Sequence, residues 1–307
     1  MPPIVNRLLQ AVITVVGATF VIFAAVFVLP GDAVDALVGD NPVTPAVEAA
    51  LRERFNLDGS LWQQYAAYIG SVLSGDFGTT TTGRDVGRTL QLAWPITVVL
   101  ALTAWAMETV LGLGLGIASA LRPRGIVSRA GWLLTIVSLA VPTFAVALVL
   151  QHYVALQTGL FPVAGTRDGW PLSYLLPALT LALVGFGTTA RLTANSVAVV
   201  RDSEFVRLAR ARGVPRRTII GSYILKPGLI PLVTQMGLSL AGMLSGAVVV
   251  EAIFNLGGVG SILVAAVNQR EGTVVVGVVT ILVAIVAAIN IVVDVIYRLL
   301  DPRLRAS

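Results

Sequence analysis

TVVVGVVTILVAIVAAINIVV, residues 273–293, decides the fold class. No charge falls between Glu271 and Asp294. A helix needs about 20 apolar residues to cross the hydrocarbon core of a bilayer. The stretch lacks the strict alternation of a barrel strand and reads as a spanning helix. Working outward, the same test finds five more windows: Leu8–Leu29, Trp94–Leu121 (interrupted only by Glu108), Gly131–Val154, Leu172–Ala190 and Pro227–Val250. Composition agrees. Hydrophobic residues make up 56% of the 307 and charged residues 12%, with a mean hydropathy of +0.87; an average soluble chain carries about 25% charged residues. The chain reads as an all-α membrane protein with six transmembrane helices. Leu8–Leu29 is longer than a signal-peptide apolar region and leads into Pro30-Gly31-Asp32 rather than a small-residue cleavage site, so it reads as an uncleaved first helix.

Basic residues set the orientation, because Lys and Arg gather on the cytoplasmic side. With the N-terminus inside, the inner face holds Arg7, then Arg122, Arg124 and Arg129, then eight basic residues from Arg191 to Lys226, then Arg298, Arg303 and Arg305. Only Asp202, Glu204 and Asp301 oppose them there. The outer face holds six arginines and ten acids, so both termini read as cytoplasmic. This placement also accounts for the net charge of +5 and the pI near 10.1, and nucleic-acid binding is set aside.

Enzymatic readings find no footing. Cysteine is absent, and His152 is the single histidine, so no metal-ligand cluster can be built. No G-x-x-x-x-G-K-[ST] phosphate cradle occurs, and no carboxylate pair or Ser/His/Asp set has usable spacing.

Two segments outside the bilayer are large enough to act. Residues 30–93 form a long external loop. Thr44 can cap a helix with Pro45 at its first position, and Val47, Leu51 and Phe55 repeat at helical spacing. Leu61–Leu73 puts Leu61, Tyr65, Tyr68, Ile69 and Val72 on one face. These are short amphipathic helices, read either as an external cap or as a contact for a partner. The second segment, residues 201–226, is RDSEFVRLARARGVPRRTIIGSYILK. Asp202 or Ser203 can cap a helix through Arg212, Gly213 supplies a left-handed stop, and Pro215 starts the next turn. Phe205, Leu208 and Ala209 form a narrow apolar stripe. A helix so short is marginal alone in water and needs a surface, lipid or protein.

Single residues carry open alternatives. Glu108 is the acid deepest in a span, either a functional carboxylate or a hydrogen-bonded group packed between helices. Pro142 kinks the third span and either frames a path or merely bends a helix. Gly112, Gly114 and Gly116 suit close helix packing. Glu251 and Asn255 lie where the fifth span meets the outer mouth. Asp294 and Arg298 read as an i,i+4 pair.

At Glu204-Phe-Val-Arg-Leu-Ala-Arg-Ala-Arg-Gly213 the chain resembles the B-type permease subunit of ATP-binding-cassette importers of the dipeptide, oligopeptide and nickel group. In the general signature loop, Glu-Ala-Ala precedes the Gly and Ile-x-Leu-Pro follows it. Here Arg207, Leu208 and Ala209 stand at the first set and Tyr223 to Lys226 at the second, so only Ala209, Gly213 and Leu225 match. Further resemblance lies in Pro30-Gly31-Asp32, Leu73-Ser-Gly-Asp-Phe-Gly78, Glu251-Ala-Ile-Phe-Asn-Leu-Gly-Gly-Val-Gly260 and Asp301-Pro-Arg-Leu-Arg305.

The resemblance implies a type I importer permease fold. Residues 1–29 would hold the first span, 30–93 the external loop, 94–300 a five-helix core with the coupling loop 201–226, and 301–307 a cytoplasmic tail. It implies a coupling helix whose Glu204, Phe205, Arg207, Leu208, Ala209, Arg210 and Gly213 meet a cytoplasmic ATPase. Glu108, Pro142, Glu251 and Asn255 become candidates for the gate or pathway. Expected partners are a homologous second permease, two ATPase subunits carrying ATP and magnesium, an external substrate-binding protein and the lipid of a bacterial inner membrane. This chain itself would hold no cofactor. The cargo would be dipeptides or oligopeptides. Two rivals remain at this stage: a proton- or ion-driven transporter with Glu108 as carrier, which would work without an ATPase, and a receptor or scaffold using the outer loop, which would carry no flux.

Overall fold

The computed structural model describes residues 3–27, 44–54, 60–80 and 83–300, with side chains left aside at 3–8, 27, 51, 53–54 and 293–300. The expectations for Pro30-Gly31-Asp32, Leu51, Phe55, the Asp294–Arg298 pair and Asp301–Arg305 lie outside that description.

Helices follow the apolar windows. They are α1 (Pro3–Phe27), α2 (Pro45–Arg54), α3 (Leu61–Leu73), α4 (Val86–Leu121), α5 (Ile126–Ala140), α6 (Thr143–Val149) continued by the π-helical π1 (Leu150–Leu156), and α7 (Leu172–Arg201). Then come α8 (Glu204–Ala211), α9 (Arg216–Thr218), the π-helical π2 (Ile219–Leu225), α10 (Lys226–Gly228), α11 (Ile230–Ile253), α12 (Val259–Asn268) and α13 (Gly272–Leu300). Among the described residues five helices are long and apolar enough to cross a membrane: α1, α4, α7, α11 and α13.

The third span departs from expectation. Gly131–Val154 reads as one kinked helix, but α5 and α6–π1 meet at 108°. Val141 is extended, and Pro142 caps α6 from an extended conformation. Proline disfavours helix at the residue before it, which turns a bend into a break. By length and composition the pair is a broken span or a re-entrant loop, so the described residues hold five spans, or six if it crosses as one. The second span also begins earlier than Trp94, at Val86, because a helix continues past the charge-free stretch once Asp85 receives the Arg88 amide at 2.8 Å.

The chain forms two compact units. The first comprises Met1–Val98 and Asn255–Ile291. In it α3 packs with α1 and α13 around Phe23, Tyr65, Tyr68 and Val276, with Leu61, Ile69 and Val72 against that cluster, the face expected from the sequence. Its two tyrosines take their hydroxyls inward. Tyr65 pairs with the Thr19 hydroxyl at 2.7 Å, and Tyr68 with that of Thr280 at 2.7 Å. α2 starts as read, with the Val47 amide reaching Thr44 Oγ1 at 3.4 Å. In the Leu73–Gly78 motif the Gly78 amide donates to Asp76 Oδ1 at 2.9 Å; a Cβ on Gly78 would stand 2.5 Å from Thr273 Cγ2 at a φ of +87°. Glycine is required there on both counts. The Val259 amide, at the start of α12, donates to Thr97 Oγ1 at 2.9 Å.

The second unit comprises Val99–Phe254 and Val292–Ser307. α7 is its centre, with buried residues along its whole length. Gly112 and Gly116 of α4 press on α7: a Cβ on Gly112 would lie 2.8 Å from Thr189 Cγ2, and one on Gly116 would collide with Thr193 and the Ala190 carbonyl. Gly114 meets nothing, so the packing motif is the four-residue spacing, not the alternate one. Gln151 of π1 donates to the carbonyls of Val163 and Ile253, both at 2.9 Å, tying the loop after π1 to the end of α11.

Candidate functional site

α8 is short, and its geometry explains how it persists. Ser203 is its N-cap, Glu204 lies in its first turn and Arg210 in its last, which suits the helix dipole. The helix ends at Ala211 with Arg212 as C-cap, one residue short of expectation. Gly213 then takes a φ of +73°. Its amide donates to the Arg210 carbonyl at 3.0 Å, and the Val214 amide to the Ala209 carbonyl at 3.2 Å. This is the Schellman pairing, and it needs a residue free to adopt the left-handed conformation.

The buried face differs from the expected stripe. Val206 and Ala209 are the buried residues, at 0% and 5% exposure, in a cluster with Ala120, Val197, Ile219 and Ile224. Phe205 and Leu208 stand out at 49% and 51%. Both pairs are three residues apart, so α8 carries two apolar edges. One is spent on the chain itself. Burying Val206 contributes about 1.5–3 kcal/mol, enough to hold a helix that is marginal alone. The other edge is bare, flanked by exposed Arg207 and Arg210.

Both ends of this segment are fastened to spans. Arg201, the last residue of α7, donates from Nη1 to the Ala120 carbonyl and grips Asp202 through Nε at 2.8 Å and Nη2 at 2.6 Å. The Arg201 guanidinium holds the Asp202 carboxyl below its usual range. At the far end Ser196 Oγ donates to the Gly228 carbonyl at 2.7 Å, and Gly228 lies against Val197. A push on α8 therefore reaches α4 and α7 through packed atoms.

A second polar constellation sits inside the bundle. Glu108 of α4 is 2% exposed. Thr189 of α7 donates to its Oε1 at 2.5 Å, and Ser239 of α11 donates to Oε2. Gly185 of α7 leaves room for the carboxylate; a Cβ there would overlap it. Close by, Trp105 Nε1 donates to the Met236 carbonyl at 2.8 Å. One carboxyl thus joins three spans.

Of the remaining pathway candidates, Glu251 stands apart from it, further along α11. Glu251 is fully buried on α11, twelve residues beyond Ser239, about 18 Å along the axis. Asn255 is exposed with a φ of +46°, and Pro142 opens α6. His152 stacks edge-on against Tyr153 at 4.8 Å. Sequence reasoning missed Val206, the Arg201–Asp202 fork and the hydroxyl donors to Glu108. The fork had a readable signal, an acid directly after an arginine at a helix end. The donors had none, being 81 and 131 residues away.

Comparison with known proteins adds three findings. Residues 112–306 match the family described as binding-protein-dependent transport system inner membrane component, and residues 2–99 match the N-terminal family of such membrane components. The chain is 32% identical to the glutathione transport system permease protein GsiC of Salmonella typhimurium and 30% identical to the di/tripeptide transport system permease protein DppB of Pseudomonas aeruginosa, each over 98% of both chains. It is 31% identical to the dipeptide transport system permease protein DppB of Bacillus subtilis, over 98% of this chain and 97% of that one. Among solved structures, the MetNI methionine ABC transporter in an inward-facing conformation shares the fold at a TM-score of 0.58 and 18% identity, covering 69% of this chain and 96% of the other.

Proposed function

This chain belongs to the family of binding-protein-dependent transport system inner membrane components, and on that premise we propose that it carries short peptides across a bacterial inner membrane as one half of a two-permease pathway. It is a multi-pass permease subunit of an ATP-binding-cassette importer and a transport subunit rather than an enzyme. ATP is hydrolysed on separate partner subunits in such systems. In our reading both termini are cytoplasmic, and the arginine-rich segment from Arg191 to Lys226 faces the cytoplasm.

The observation that carries the mechanism is the double edge of α8. Val206 and Ala209 anchor the helix to the bundle, while Phe205 and Leu208 are left to dock on an ATPase subunit. Glu204, Arg207 and Arg210 would rim the contact, and the Gly213 stop would fix its end. Closure of the ATPase pair on ATP would push α8, and the Arg201–Ala120 and Ser196–Gly228 ties would pass the movement to α4 and α7. Substrate would reach the pathway from an external binding protein. A peptide cargo is supported by the named activities of the glutathione and dipeptide relatives.

Glu108 in this reading is a tie between spans, since its carboxyl accepts hydroxyls from two neighbouring helices. The test is uptake of labelled di- and tripeptides into vesicles holding the complete complex. Uptake should require ATP and the ATPase subunits. Uptake that persists without them would overturn the proposal.

A further inference from the structure

Beneath α4 and α7, beside the coupling segment, lies a cavity of about 560 Å3 with two kinds of wall. Its lining combines Arg122, Arg201, Arg210 and Arg216 with Ile219, Ile220 and Ile224. Its volume is that of small-molecule sites, which run from roughly 300 to 1,000 Å3. Arg201 is engaged by Asp202 and the Ala120 carbonyl, and Asp202 also feels the charges of Arg207 and Arg210. Arg122, Arg210 and Arg216 have no carboxylate within ion-pair distance among the described residues. With four arginines and Asp202 as the neighbouring carboxylate, the site keeps net positive charge among the described residues beside an apolar lining.

We propose that this cavity holds the phosphate headgroup of an anionic inner-leaflet phospholipid, with the three arginines around the phosphate and the half-buried Ile220 beside the start of the acyl chains. Two features select a lipid over a soluble anion. Free phosphate has no use for an isoleucine lining. Arg122 directly follows the last residue of α4, and Arg201 is the last residue of α7, so these two arginines stand where both spans run out, at headgroup depth. A lipid there would brace π2 against α8 and make the stiffness of the coupling segment depend on membrane composition. The proposal rests on the membrane orientation, not on the cargo or the ATPase contact.

Native mass spectrometry of the purified full chain, titrated with phosphatidylglycerol or phosphatidylcholine, tests it. The wild type should retain phosphatidylglycerol in preference to phosphatidylcholine, and tens-of-millimolar inorganic phosphate should not displace it. At roughly a fivefold gain per arginine near the surface, the Arg122→Gln/Arg216→Gln double variant should lose about thirtyfold in retention. Arg129→Gln, an inner-face charge outside the cavity, should behave as wild type, and Ile220→Gln should weaken lipid retention without unfolding the chain. Equal retention by the double variant and the wild type would overturn the proposal. Displacement by inorganic phosphate would overturn it in favour of a soluble-anion site, and equal retention of phosphatidylcholine would remove the role of charge.

Discussion

The short helix α8 and the Glu108 cluster invert each other. α8 lies outside the spanning helices and exposes apolar side chains, Phe205 and Leu208. The Glu108 cluster lies among them and buries a carboxyl. Each breaks the usual placement rule, and each has an identifiable compensation. At Glu108 the compensation is internal: hydroxyls from α7 and α11 and a glycine that makes room. At α8 one apolar edge is compensated by the chain's own core and the other by nothing among the described residues. The difference teaches that a buried polar group whose donors come from its own bundle reads as architecture, whereas an exposed apolar edge on an anchored helix reads as an interface.

Substitutions can break that contrast. The largest effect should come from neighbouring residues of α8 taken together. Val206→Asp places an unpaired charge in the core and should destabilise the chain by several kcal/mol, seen as loss of folded protein in detergent. Phe205→Asp should leave folding intact yet weaken ATPase retention about thirtyfold, the scale of an interface hot spot, with uptake lost alongside it. If the two variants fold and transport alike, α8 does not have two distinct edges.

Next in size, Gly185→Ala should cost about 1–3 kcal/mol through overpacking against Glu108, measured as a lowered melting temperature. Glu108→Ala should restore part of the loss in the double variant, because it removes the colliding group. Additive losses would mean the carboxyl is not what fills that space.

The smallest effect should be Glu108→Gln, about 0.5–1.5 kcal/mol in stability with ATP-driven uptake retained, since an amide still joins a hydroxyl network. Abolished uptake in a folded variant would move Glu108 from architecture to mechanism.

Much of the fold was readable because spanning the bilayer imposes length and the absence of charge, and both are local properties. The break at Pro142 was readable only as a position. Proline tells where a helix is disturbed, and its neighbours decide whether the result is a bend or 108°. The start of α4 at Val86 was hidden because charge-free windows mark contact with lipid, not the ends of helices. In α8 the stop at Gly213 was legible, as a left-handed residue is needed there. The buried edge was not, because Phe205/Leu208 and Val206/Ala209 share one spacing, and only Ala120, Val197 and Ile224, distant in sequence, choose between them. The partners of Glu108 were illegible for the same reason.

The account turns on whether an ATPase subunit covers the bare edge of α8. The natural chain contains no cysteine, so a single introduced thiol reports its own surroundings. Leu208→Cys should react freely with a membrane-impermeant maleimide in the isolated permease in inverted vesicles and become protected once the ATPase subunits assemble, with Arg129→Cys reactive in both states. Labelling of Leu208→Cys that is unchanged by ATPase assembly, or already blocked by lipid in its absence, would contradict the account.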